Sequence, residues 1–142
     1  MLEPSFYKAH LERVSRSFAF CIAELKEDIQ PQVALAYLLF RVLDTIEDSK
    51  WTDSVLQKKA FEQFKKLCLS QEASVRPLVE LLAASQHKDE EALLIKDTEK
   101  LFSEYFSLNK HIRKPLEDAL LTMTEGMEHF ALEKKHQIKT NM

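Results

Sequence analysis

Glycine is nearly missing, one residue in 142. A chain with so few positions free to take a positive φ has little means of building primed β-turns, bulges or phosphate-cradling loops. Dinucleotide fingerprints are excluded with them. Cysteine is scarce too: Cys21 and Cys68 form neither a C-x-x-C pair nor a disulfide framework, and both stand in apolar, helix-like contexts that read as buried thiols. Long hydrophobic runs are absent. The longest, Val33 to Phe40, is far short of the ~20 residues needed to cross a bilayer. Glu3, Lys8, Glu12, Arg13 and Arg16 spoil a signal-peptide pattern, so a cytoplasmic location follows by default. Basic residues are scattered and the net charge is −3, which lacks the footprint of a nucleic-acid binder.

What is present is helical periodicity. With 45% hydrophobic and 30% charged residues, 1–142 read as one soluble helical domain with room for a core. Start signals stand at Ser15 before "RSFAFCIAEL", at Pro31 in a first turn, and at Asp53 or Ser54 before "VLQKKAFEQFKKLCL". Further helices are expected near 75–86, 89–108 and 112–136, with Pro77 and Pro115 each tolerated in a first turn. The fold class is all-α, with about six to seven helices.

The most informative stretch is "YLLFRVLDTIED" at 37–48. At ~100° per residue, Tyr37, Arg41, Asp44 and Asp48 fall within an arc of roughly 60°. The other sides carry Leu35, Leu38, Leu39, Val42, Leu43 and Ile46, so this helix is expected to be surrounded by protein. Its polar stripe then faces either a satisfied polar core or an internal cavity, because unpartnered buried carboxylates are costly. Two acids at i and i+4 repel, and a divalent cation relieves them more than Arg41 can. Oxygen-only ligation favours magnesium, manganese or calcium over zinc. On spacing alone, a charged helix end paired with nearby lysines is the stronger reading.

The same residues resemble the first aspartate-rich motif of the squalene and phytoene synthases. "SRSF" at 15–18 is similar to another block of that family, and "EGMEHF" at 125–130 to a third, weaker one containing Gly-Met. The resemblance implies an isoprenoid-synthase-like helical bundle that condenses two prenyl diphosphates head to head through a cyclopropylcarbinyl diphosphate. It implies Mg2+, or Mn2+ in its place, and leaves a following NADPH-dependent reduction open.

Carried over residue by residue, the resemblance makes Asp44 and Asp48 metal ligands and gives Tyr37 and Arg41 catalytic and substrate-contacting roles. Ser15, Arg16, Ser17 and Phe18 match the diphosphate-contacting segment, whose helix start offers free N–H groups to an anion. Phe18, Phe20 or Tyr37 would wall a water-excluding cavity. Gly126 would make room for a prenyl tail, although a neighbouring backbone explains a mid-helix glycine equally well. Glu47 lies about 80° off the stripe and reads as less involved. Glu125 and His129 read as a solvated face.

One departure is large. The family's second aspartate-rich motif has no counterpart within these 142 residues, so only half of the metal site is encoded. The preferred reading is the N-terminal, truncated part of such a transferase. The alternatives are one subunit of a split or homo-oligomeric enzyme completed by another polypeptide, and a non-enzymatic module binding lipid or protein. A lipid product would make peripheral membrane contact reasonable.

Overall fold

The computed structural model describes residues 2–140, with side chains at all of these except Arg16, Phe18, Phe20, Glu90 and 132–140. Eight α-helices are formed among them: α1 (Pro4–Val14), α2 (Arg16–Ala23), α3 (Gln30–Asp48), α4 (Ser54–Leu69), α5 (Arg76–Ala84), α6 (Ala92–Lys96), α7 (Thr98–Ser107) and α8 (Lys110–Thr140). The expectation of six to seven is too low, largely because the helix read over 89–108 is broken. It becomes a 3-10 turn at Asp89–Glu91, then α6, then α7. The break falls at Asp97, whose φ of −93° and ψ of 9° leave the helical region. Its carboxylate is drawn to His10, 87 residues earlier, which no local pattern could reveal.

Local chemistry accounts for most other boundaries. Ser15 has an extended backbone (φ −161°, ψ 90°), closing α1 through its N–H to the Leu11 carbonyl and opening α2 by accepting from the Ala19 N–H. Pro31 lies in the first turn of α3, where its missing N–H has no intrahelical partner to lose. Asp53 caps α4, its Oδ1 accepting from the Val55 N–H at 2.9 Å. Asn109 does the same for α8, its Oδ1 accepting from the His111 N–H at 2.9 Å. Hence α8 begins two residues before the expected start, and Pro115 lies beyond its first turn, where it forgoes one helical hydrogen bond.

Helix α3 is the centre of the packing. Leu35, Leu38, Leu39, Val42, Leu43 and Ile46 are all fully buried, as the absence of a polar face on those sides required. Helices α1, α2, α4, α6, α7 and α8 all touch α3, and α8 packs along α4. Phe61 and Phe64 from α4, Leu78 and Leu82 from α5, and Tyr105 from α7 fill the core. Tyr105 donates its hydroxyl to the Cys68 carbonyl at 3.0 Å, tying α7 to the end of α4. Outside the helices, Lys50 and Gln86 exchange backbone hydrogen bonds of 2.9 Å, joining the α3–α4 connection to the segment after α5. Cys68 is buried, but Cys21 is exposed, against the expectation that both thiols are interior. Cys21 lies on a side of the short α2 that the other helices leave uncovered. Among the described residues, no helix is long and apolar enough to cross a membrane.

Gly126 lies exposed on α8, and a Cβ built there would meet nothing within 4 Å. Among the described residues, no neighbouring backbone explains it. Gly126→Ala in the 142-residue chain is therefore expected to stabilise by about 0.5–1 kcal/mol, read from urea or thermal melts, because alanine gains helix propensity without a clash.

Candidate functional site

The polar stripe is built by the last three turns of α3. Arg41, Asp44 and Asp48 share one flank, while the residues between them hold the helix in the core. The end of the helix is secured despite its carboxylates. Trp51 donates its indole N–H to the Ile46 carbonyl at 2.9 Å, and Gln57 donates to the Ile46 and Glu47 carbonyls at 3.0 and 3.2 Å. Those bonds satisfy carbonyls that a helix C-terminus leaves without partners.

Arg41 is held from a distant part of the chain. Its Nη2 donates to Glu91 Oε1 at 2.7 Å, and Glu91 is buried. Its Nη1 stands 3.9 Å from Asp44 Oδ2, near enough for attraction but too long for a hydrogen bond. Arg41 Nε is buried with no hydrogen-bond partner among the described residues. Thr45 donates its hydroxyl back to the Arg41 carbonyl at 2.9 Å, inside the same helix.

The electrostatics of Asp44 are informative. Burial pushes its carboxyl above the ordinary value, Arg41 pulls it down, and the negative charges of Asp48 and Glu91 push it up again. Asp44 thus feels three charged neighbours at once. Folding favours its protonated form, so the stability gained from it is full below the unfolded value near 3.8 and is lost as pH rises through the folded one. At neutral pH the carboxylate is held at a cost that a nearby cation would remove.

The stripe does not open into an enclosed space. Asp44 is about a third exposed, its side chain at 35%, and Asp48 is exposed outright. Among the described residues the Asp44 carboxylate is part-exposed and that of Asp48 faces solvent, so the two are not enclosed together as expected. Two surface hollows, of about 560 and 510 Å³, lie elsewhere: one between α4 and α5 beside Leu56, Pro77 and Leu81, the other at the start of α8 beside Lys110, Arg113 and Lys114.

The remaining sequence-derived residues are spread more widely. Tyr37 is partly buried on α3, one turn before Arg41. Ser15 stands at the α1–α2 junction and Ser17, exposed, in the first turn of α2, which packs on α3. The side chains of Arg16, Phe18 and Phe20 lie outside the described residues. Gly126 is on α8 with open space beside it. Glu47 is partly buried. Glu91 is the residue that sequence reasoning missed. It stands in the run "KDEE", which reads as solvated, yet it precedes Leu94 and Ile95 at i+3 and i+4, and both are buried. An acid on an apolar helical flank was the available signal.

Among the described residues, no three His, Cys, Asp or Glu side chains are gathered so as to hold a metal ion by themselves. The donor set suits a hard cation that brings its own oxygens. Magnesium takes one or two carboxylates and completes its shell with water and phosphate, and Asp44 and Asp48 offer such a pair with no sulfur or imidazole between them.

Comparison with known proteins identifies the family of the chain. The squalene/phytoene synthase family model matches residues 11–138. Among curated proteins, a probable squalene synthase of Neurospora crassa is 30% identical over 89% of the chain, and the squalene synthase of Eremothecium gossypii is 29% identical over 90%. The squalene synthase of Nicotiana benthamiana is 26% identical over 88%. The chain spans about a quarter of the length of these relatives, 25%, 27% and 28% respectively. No solved structure matches it. The chain belongs to the squalene/phytoene synthase family, and its bundle is all-α and isoprenoid-synthase-like.

The charge coupling gives a direct test. Asp48→Asn removes a like charge and should lower the Asp44 titration midpoint, whereas Arg41→Met removes an opposite charge and should raise it. Carboxyl carbon NMR titration of Asp44 reads both. Unchanged midpoints in the two variants would mean that the three groups do not share one field.

Proposed function

We propose that this chain supplies the first ionic half-site of a prenyl transferase of the squalene/phytoene synthase type. Asp44 and Asp48 would hold Mg2+, and Arg41 would meet the diphosphate of a prenyl diphosphate during head-to-head condensation. The observation that supports this most is the carboxylate pair one turn apart on α3, with Asp44 raised chiefly by burial and then by its acidic neighbours, and a guanidinium beside it. A site so loaded with negative charge favours a dication over water alone.

When bound, the metal would neutralise charge on the departing diphosphate and act as a Lewis acid. The chain's own residues do the rest. Arg41 offers a fork of donors suited to phosphate oxygens. Ser15, Arg16, Ser17 and Phe18 would bring the start of α2 to the same anion, through the backbone N–H groups of its first turn. Tyr37, in line with Arg41 on α3, would direct its hydroxyl toward the substrate. Because α3 is locked on every apolar side, the carboxylates have a fixed base from which to position both ion and leaving group.

A second reading has one observation in its favour. Ile112, Met123 and Phe130 are exposed on α8, 42%, 41% and 63% respectively, and fall within an arc of roughly 20° on the helix. Such a stripe suits a covering partner, either another polypeptide or a second copy, that completes the half-site. A solution mass above the 16.6 kDa of one chain, measured by light scattering, would support it.

The primary reading predicts a thermal shift. Mg2+ with a prenyl diphosphate should raise the melting temperature of the 142-residue chain, and the double variant Asp44→Ala, Asp48→Ala should abolish the rise. A wild-type chain that melts at the same temperature with and without both additions defeats the proposal.

A further inference from the structure

An arginine that is to meet an anion has a long side chain to immobilise first, at a cost in rotamer freedom. In this chain the immobilising group comes from 50 residues away. Glu91 is 6% exposed, and its Oε1 takes the Arg41 Nη2 proton donor at 2.7 Å, a charge-assisted bond in a mostly desolvated setting. That leaves Nη1 without a short bond to Asp44.

Glu91 is itself held in place. It ends the 3-10 turn that leads into α6, and α6 stops at Asp97, where the carboxylate lies 2.8 Å from Nε2 of the buried His10. Arg13 Nη1 stands 3.2 Å from the other ring nitrogen, and Phe6 packs edge-on against the ring at 4.8 Å. Lys100 approaches Asp97 at 3.8 Å from the far side. Leu94 and Ile95, between the two anchors, are buried. The segment 89–97 is thus pinned at Asp97 to α1 and at Glu91 to α3.

We infer that Glu91 is a positioning residue for anion recognition. It fixes the Arg41 guanidinium at the edge of the aspartate stripe, so that a diphosphate arriving there meets a pre-oriented donor. The inference rests on the reading of Arg41 as a diphosphate contact, and Glu91 acts through that arginine.

Two measurements on the 142-residue chain test it. The first is the NMR signal of the Arg41 Nε–Hε group, which should show a rigid side chain in wild type and Glu91→Gln and an averaged one in Glu91→Ala. The second is calorimetric titration with Mg2+ and inorganic pyrophosphate. Glu91→Ala should weaken binding about tenfold, and Glu91→Gln, which keeps an oxygen acceptor, by less than about threefold. In an Arg41→Ala background, Glu91→Ala should change binding less than about twofold, because its effect runs through the arginine. Should Glu91→Ala fail to fold, Glu91→Met fills the same volume without an acceptor and takes its place. An averaged Arg41 signal in wild type, an unchanged affinity in Glu91→Ala, or additive losses in the double variant would each overturn the inference. A rigid Arg41 in a wild-type chain that does not bind pyrophosphate with Mg2+ would instead overturn the functional reading, and this one with it.

Discussion

The enclosure of α3 is the constraint on which the rest depends. A helix with leucine, valine and isoleucine on most of its circumference can satisfy them only by being wrapped, and here helices before and after it in the chain do so. Among the described residues, wrapping leaves Asp44 part-exposed and Asp48 exposed on one flank. The position of Arg41, Asp44 and Asp48 is therefore set by what their neighbours cannot do, namely face water. Truncating any of the fully buried leucines of α3 would be expected to cost about 2–5 kcal/mol, more than any surface ion pair of the stripe could contribute.

The same arrangement concentrates charge where a helix tolerates it least. Peptide dipoles give the C-terminal end of α3 a partial negative charge, yet its last turns carry Asp44, Glu47 and Asp48 and its final turn no basic residue. Arg41 answers only part of this, since its shortest bond goes to Glu91 rather than to either aspartate. The helix end survives because Trp51 and Gln57 occupy its terminal carbonyls. Stability is thus provided by apolar packing and carbonyl capping, and the acidic stripe is left in an electrostatically unfavourable state that ligand chemistry can use.

Much of the helical plan was legible in the sequence because its determinants are local. Pro31 marked the start of α3, Asp53 or Ser54 that of α4, and the apolar circumference of 35–46 the burial of α3. The break at Asp97 was not legible, since its cause is His10, a residue contributed by another helix. Glu91 was hidden for the same reason: a run of acids and a lysine suggests solvent until the fold brings Arg41 against it. The openness of the stripe was misread because helical spacing tells which residues share a flank and is silent on what stands opposite. Cys21 shows the same limit, expected inside and found outside.

The indole that secures α3 has a practical meaning of its own. Trp51 is the sole tryptophan of the chain, it is partly buried, and its ring nitrogen is bonded two residues before Asp48. Nature has in effect placed one intrinsic fluorophore at the tip of the acidic helix, so the colour of the protein's own emission reports on that spot without any added label.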